Sequence, residues 1–395
     1  MNPKDFSGSA PGRLVPTILG AQAFVPSEVP RTLNLDLTTV RRLSQADSEV
    51  GRLAGTTGRL INPYLVGSPL LHREAILSSR IEGTFTTPEE LVLFEAGDPE
   101  PAGPSKTEDT KEVANYMAAM RHGLRRLDAL PVCLRLIREI HGILMDGVRG
   151  EDKRPGEFRA SQNFIGSARS AEAMSVRIAG ARYVPPPVPE MTELLNDFEK
   201  AIGQRPEELP VLIHLAVVHY QFEAIHPFSD GNGRIGRLLI ALLLCSYGLL
   251  SEPLLYLSAY LERHREEYND RMLRVSQAGA WLDWIGFFLR GVEESAREAT
   301  EQAEGLLKLR DRYHQQFQSA RSSALLLKLI DELFRTPSIT IKRAATVLGV
   351  TEAAASYNIG KLVDAKILVE RTGRVRNQRF IAPEILTFID RPARP

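Results

Sequence analysis

The chain has 395 residues, long enough for two or three domains around full hydrophobic cores, and its 43% apolar and 25% charged residues fit an ordinary soluble protein. Its polar N-terminus, with Pro3, Pro11 and Pro16, lacks the apolar stretch of a signal peptide, and the run from Leu238 to Leu244 is far too short to cross a membrane. The 49 basic and 49 acidic residues cancel overall, and the only cysteines, Cys133 and Cys245, lie in apolar helical settings, which argues against a disulfide framework and for a reducing cytoplasm.

In chain order, the first helical pattern of note covers residues 71–81 and closes at Ser78-Ser79-Arg80-Ile81-Glu82-Gly83, with Gly83 as its C-cap. Ser78 and Glu82 are four apart and share a face; by themselves such residues read as solvated surface. Residues 98–104, rich in proline and acid, read as a linker. Helices are expected at 112–127 and 132–145. Residues 156–166, with Phe158, Arg159, Asn163, Phe164, Ile165 and Gly166, and residues 181–187, with Tyr183, bracket a small and polar stretch and read as two short strands around a loop. Further helices are expected at 191–202 and 209–224. His214 and His219 fall in the second of these and, without clustered cysteines or a His-Glu-x-x-His pattern, read as packing residues rather than metal ligands.

The most informative stretch follows: His226-Pro227-Phe228-Ser229-Asp230-Gly231-Asn232-Gly233-Arg234-Ile235-Gly236-Arg237. The apolar run at 235–244 reads as a buried helix, so 231–234 lie at its N-terminus, where free backbone N–H groups form an anion site suited to phosphate. Gly231 and Gly233 allow positive φ and close approach of the main chain to such a ligand. Arg234 and Arg237, three apart, can point from one face toward the same polyanion. Phe228 is expected to pack inward and fix the loop.

These residues carry a resemblance. His-x-Phe-x-Asp-Gly-Asn-Gly-Arg-x-x-Arg resembles the motif of the Fic family, with every defining position present. The resemblance implies an enzyme on a helical core that moves AMP from ATP to a Ser, Thr or Tyr hydroxyl of a protein, itself included. It implies His226 as the base that takes the hydroxyl proton, Asp230 as the ligand of Mg²⁺, and Gly231, Asn232 and Gly233 as stabilisers of charge on the α-phosphate. Arg234 and Arg237 would hold the β- and γ-phosphates. Upstream, 78–83 resembles the family's inhibitory helix, Ser/Thr-x-x-x-Glu-Gly/Asn, which implies that Glu82 pairs with Arg237 and excludes the γ-phosphate. The hairpin expected around 156–187 resembles the family's flap, which docks the target's main chain. Some relatives use the inhibitory glutamate to remove AMP instead, and many act as dimers, so both possibilities stand.

A polar helical run at 293–319 reads as a connector. Beyond it the charge changes: residues 321–395 hold 13 basic against 7 acidic residues, while 1–320 hold 36 against 42. Helices at 324–333 and 341–347, a turn at Gly349, a helix from Thr351 to Val363 and two short strands near 367–371 and 378–381 resemble a winged helix-turn-helix. As a DNA reader it would use 351–361 in the major groove and Arg371, Arg374, Arg376 and Arg379 on phosphates; as an interaction module it would hold a protein. A regulator whose core senses ATP without using it is the alternative from another class. The expected architecture is therefore mainly α: an N-terminal region with the inhibitory helix (1–105), a Fic helical bundle with a β-hairpin flap (106–292), a connector (293–320) and a winged helix (321–395).

Overall fold

The computed structural model describes residues 1–58, 62–97, 104–166, 178, 180–317, 323–374 and 376–390. It opens on a hairpin that the sequence patterns did not suggest, β1 (Gly12–Pro16) antiparallel to β2 (Gln22–Pro26), with Leu14 opposite Phe24. Gly12 is required there, because a Cβ would stand 2.3 Å from the Val25 carbonyl oxygen. Three N-terminal helices follow: α1 (Leu37–Thr57), N-capped by Asp36 on the Thr39 N–H at 2.7 Å; α2 (Tyr64–Ile81); and α3 (Pro88–Glu95), opened by a Thr87/Glu90 capping box. α2 begins earlier than its periodicity indicated because Pro69 sits in its second turn, forfeiting one hydrogen bond without ending the helix.

The central bundle comprises α4 (Pro104–Leu127), α5 (Leu134–Leu144), α6 (Val188–Ile202), α7 (Val211–Ile225), α8 (Asn232–Ser246), α9 (Ser258–Arg263), α10 (Arg265–Ala278) and α11 (Trp281–Phe317). α7 and α8 are buried on nearly every side, as helices apolar all round must be, and they form the centre on which the others pack. α11 is continuous through residue 292, where the sequence suggested a boundary; its first turns bury Trp284 and Phe288 in the core and its last turns bury Leu309 and Tyr313. α1 lies along it. Among the described residues no helix is long and apolar enough to cross a membrane.

The expected pair of strands at 156–166 and 181–187 is reduced to one antiparallel bridge, Ile165 with Tyr183, and most of the stretch between lies outside the described residues. Pro185, Pro186 and Pro187 have no N–H to give a ladder, and the carbonyls of Pro185 and Pro186 are taken by the Gln162 and Arg159 side chains at 2.8 and 2.6 Å. The second arm is instead covered by the N-terminal hairpin, whose Phe24 N–H donates to the Val184 oxygen at 2.9 Å. The expected linker at 98–104 lies, but for its last residue, outside the described residues.

The C-terminal unit runs α12 (Ser323–Arg335), β3 (Ser338–Thr340), α13 (Ile341–Leu348), α14 (Glu352–Asp364), β4 (Val369–Glu370), β5 (Arg379–Ile381) and α15 (Pro383–Ile389), with sheet order β3-β5-β4. Gly349 in the left-handed region and Thr351 as N-cap make the tight turn between α13 and α14. The unit is seated on the N-terminal helices: Ser68 Oγ donates to the Arg335 oxygen at 2.6 Å, and Ser338 Oγ to the Val92 oxygen at 2.9 Å. Arg371 pairs with Glu89, and Arg379 donates to the Leu93 oxygen at 3.4 Å, so two of the four arginines expected to meet phosphates face α3.

Trp284 is fully buried against α7 and its indole N–H donates to the Ala216 oxygen at 2.8 Å. Trp284→Ala is expected to cost about 3–5 kcal/mol in urea unfolding and Trp284→Phe clearly less; equal losses would place the cost elsewhere than in the cavity.

Candidate functional site

The site is built where α7 passes into α8. His226 leaves α7 in the left-handed conformation (φ 50°, ψ 61°), rare for a residue with a side chain, while its N–H still bonds the Phe222 oxygen at 2.9 Å. Gly231 (φ 77°) turns the chain into α8, and a Cβ there would press on Met145 Sδ at 3.0 Å. Side chains hold the loop by its main chain. Asn232 accepts the Phe228 N–H at 2.9 Å and donates to the Phe228 oxygen at 2.8 Å, and Asn163 donates to that same oxygen at 3.0 Å. Buried Arg159 donates to the oxygens of His226 (2.9 Å), Ser161 (3.1 Å) and Pro186 (2.6 Å). Burial, with no carboxylate bonded to it, lowers its pKa to about 10. Phe228 is fully enclosed, as expected, stacked on His141 with centroids 3.7 Å apart and tilted against Phe158 at 5.1 Å.

This bracing corrects several expectations. The side chains of Phe158, Arg159 and Asn163 are engaged with the loop: Phe158 packs on Phe228, Arg159 is buried and Asn163 is bonded to Phe228; the Tyr183 hydroxyl donates to the Ala224 oxygen at 3.0 Å. Of the expected flap, Ile165, Gly166 and Tyr183 line the open cavity, and Phe164 packs partly buried against the core. Asn232, expected at the α-phosphate, has spent its amide on the loop.

Arg237, one turn into α8, is buried and held by three bonds: Nε to Ser78 Oγ (2.9 Å), Nη2 to the Ser78 main-chain oxygen (2.9 Å) and Nη2 to Glu82 Oε1 (2.8 Å). The end of α2 is thus brought onto the N-terminus of α8. Desolvation would raise the Glu82 pKa, but the charge and hydrogen bond of Arg237, with Arg234 beyond, hold its carboxyl below the ordinary range. Two-fifths of the Glu82 side chain is nonetheless exposed. Arg234 is buried too, donating to Glu112 at 3.3 Å and facing Met145 Sδ at 3.4 Å.

His226 Nδ1 is buried without a hydrogen-bond partner among the described residues. Burial, and then the charge of Arg159, push its pKa down to about 4 against the weaker pull of the Glu223 main chain and then of Glu82 and Asp230, so its imidazole is neutral at physiological pH. Asp230 accepts the Gly231 N–H at 2.7 Å and pairs with Lys153 at 2.8 Å; desolvation opposes ionisation, but Lys153 keeps the carboxyl below its usual value. A single ionised, part-exposed carboxylate at a helix N-terminus fits Mg²⁺, a hard cation that takes one or two protein carboxylates and draws its other ligands from phosphate and water.

His226, Glu82, Arg237, Gly233, Ile165 and Gly166 all line one cavity of 360 Å³, walled on its far side by Tyr268, Asn269 and Met272 of α10. Several residues here were not singled out by sequence. His141 accepts the Gly156 N–H on Nδ1 (2.9 Å) and donates from Nε2 to the Asp230 oxygen (3.0 Å), which fixes its neutral tautomer. Glu112, Lys153 and Glu223 were missed as well, since each is a lone charged residue on its own segment and only the fold brings it here. His214 and His219 are packing residues: one bonds the Ala201 oxygen at 3.1 Å, the other the Tyr268 hydroxyl at 2.7 Å.

Residues 40–125 match the family model described as Fic/DOC family N-terminal, and residues 131–244 the model described as Fic/DOC family. The chain belongs to the Fic/DOC family. It is 33% identical over 158 residues to the protein adenylyltransferase Fic of Aedes aegypti, covering 40% of this chain and 27% of that one. To a probable protein adenylyltransferase of Aquifex aeolicus it is 34% identical over 103 residues, 26% of this chain and 29% of the other. The matched region thus spans only about a quarter of the length of these curated relatives. A Fic family protein from Desulfovibrio desulfuricans shares the fold at a TM-score of 0.56 and 19% identity, over 89% of this chain and 97% of its own. The Fic-1 protein of Caenorhabditis elegans does so at 0.51 and 18%, over 69% and 74%.

In this Fic protein the half-buried imidazole of His226 should remain neutral down to about pH 4. Its ring resonances, followed by NMR, are expected not to titrate between pH 5.5 and 8; a midpoint near 6.5 would show an exposed ring instead.

Proposed function

We propose that this protein transfers AMP from ATP to the hydroxyl of a protein Ser, Thr or Tyr, and that Glu82 restrains the reaction by occupying Arg237. The observation that supports this reading is the engagement of Arg237: the cation one turn inside the N-terminus of α8, where a phosphate would bind, is bonded to Glu82. The name borne by the curated relatives supports the transfer itself. In the reaction the target hydroxyl oxygen bonds to the α-phosphorus, its proton passes to neutral His226, and the bond to the β-phosphate oxygen breaks to release pyrophosphate. The N–H groups at the start of α8 and the Arg234 guanidinium stabilise charge gathering on the phosphates. Mg²⁺, held at Asp230, would neutralise part of that charge. An extended target segment would dock beside Ile165 and Gly166 by main-chain pairing.

Glu82 lines the same cavity as His226, which favours a second reading, removal of AMP from a modified protein with Glu82 assisting water. The C-terminal unit adds a third. Its α14 exposes Tyr357, with Lys361 4.5 Å above the ring, yet Arg371 and Arg379 are engaged with α3, so DNA contact by this surface would rely on few cations.

With α-labelled ATP and Mg²⁺, Glu82→Gly is expected to label itself at least about tenfold more than wild type, corresponding to ~1.4 kcal/mol of relieved restraint, and Glu82→Gly/His226→Ala not at all. No label in any of the three would defeat the transferase reading. Release of AMP from pre-labelled protein by wild type but not by Glu82→Gly would select the second one.

A further inference from the structure

Arg237 has another carboxyl beside it. Two glycines on one face of α8 each lie beneath a carboxylate: a Cβ at Gly233 would meet Glu82 Oε1 at 2.4 Å, and one at Gly236 would meet Glu223 Oε1 at 2.2 Å. Glu223 stands three residues before His226 on α7 and lines the cavity shared by Glu82, His226 and Arg237. Its Oε1 is sealed from solvent and has no hydrogen-bond partner among the described residues, an exception that a native structure must account for. The charged and titratable groups facing it are Arg237 of α8, Glu82 at the end of α2 and Tyr268 of α10. His219 of α7 is neutral and bonded to Tyr268. Burial pushes the Glu223 carboxyl up to about 7; Arg237 pulls it down and Glu82 pushes it further up.

We propose that Glu223 is the reserve counter-charge of Arg237, protonated while Glu82 or a phosphate occupies the guanidinium and ionised, paired with Arg237, when neither does. The inference rests on the reading that a nucleotide phosphate reaches Arg237. Its logic is a count of charges around a buried guanidinium. One cation satisfies one carboxylate, and a second anion at the same place is met by repulsion without compensation. Glu82 already supplies that one negative charge, accepting the 2.8 Å bond from Arg237, which favours the protonated form of Glu223. When Glu82 withdraws, Glu223 gives its proton to solvent and its carboxylate holds Arg237 in place. When a phosphate arrives, the carboxylate takes a proton back and yields the guanidinium. Glu223 is thus a positioning residue, acting through Arg237.

Carboxyl NMR of ¹³C-labelled protein tests this without any nucleotide. The Glu223 resonance, assigned by its loss in Glu223→Gln or its shift in Glu223→Asp, should titrate near 7 in wild type and about one unit or more lower in Glu82→Gly. An unchanged midpoint overturns the proposal. Calorimetry of MgATP binding at pH 7, in two buffers of different ionisation enthalpy, should register roughly half a proton taken up by Glu82→Gly beyond that in Glu82→Gly/Glu223→Gln. Equal uptake in the two overturns it, as does a folded double variant that no longer binds ATP, since the amide imitates the protonated acid. ATP that fails to bind Glu82→Gly itself defeats the nucleotide reading, while the carboxyl titration still decides the counter-charge.

Discussion

A guanidinium cannot shed its proton to suit its surroundings, so burying Arg237 obliges the fold to supply it with acceptors and a negative charge. Much of the site follows from meeting that demand. The end of α2 comes down onto α8 because Ser78 offers both its hydroxyl and its main-chain oxygen there. Gly233 and Gly236 have no side chains because carboxylates occupy the space those side chains would need. The N-terminal helices and the central bundle are consequently bound through the same cation that an anionic ligand at the α8 N-terminus would meet.

The loop bearing His226 is stiff for a different reason. Its carbonyls are gripped by Arg159, Asn163 and Asn232, so its shape depends on side chains from the 159–163 stretch and from the start of α8. Arg159 accomplishes this as a buried cation bonded to main-chain oxygens, and its charge is the second reason His226 stays neutral. Its free imidazole therefore prevails at neutral pH, and the same positive surroundings lower the affinity of the ring for any proton it takes.

How much of this was legible in the sequence differs by element. The turn into α8 with its two arginines was legible because glycine spacing and paired arginines fall within twelve consecutive residues and an apolar run follows. The helices with strong periodicity were found, but α1, α3, α9, α10 and α15 were not, for α10 is polar over much of its length and α3, α9 and α15 are about two turns or less. The strands expected around Tyr183 failed because the pattern registers β-branched and aromatic residues but not that side chains would claim the carbonyls a ladder needs. Arg159 and Asn232 illustrate the general difficulty. Each is a polar residue in a motif-rich stretch, where a ligand contact and a brace on the main chain look alike until partners are known.

Release of Arg237 by Glu82 need not disturb the rest. α2 is wedged among α4, α9, α12 and α15, and the C-terminal unit fastens to it at Ser68, so shifting the helix would break packing on several sides at once. Glu82 lies just past the last residue of that helix, two-fifths exposed, with one hydrogen bond to lose. Rotation of its side chain is therefore the less costly motion, since the carboxylate end of the pair reaches solvent and can be rehydrated. Two of the three bonds to Arg237 come from Ser78 and survive such a rotation. The guanidinium then stays aimed into the cavity, with one donor direction newly open, so that an arriving anion finds the site already organised instead of having to build it.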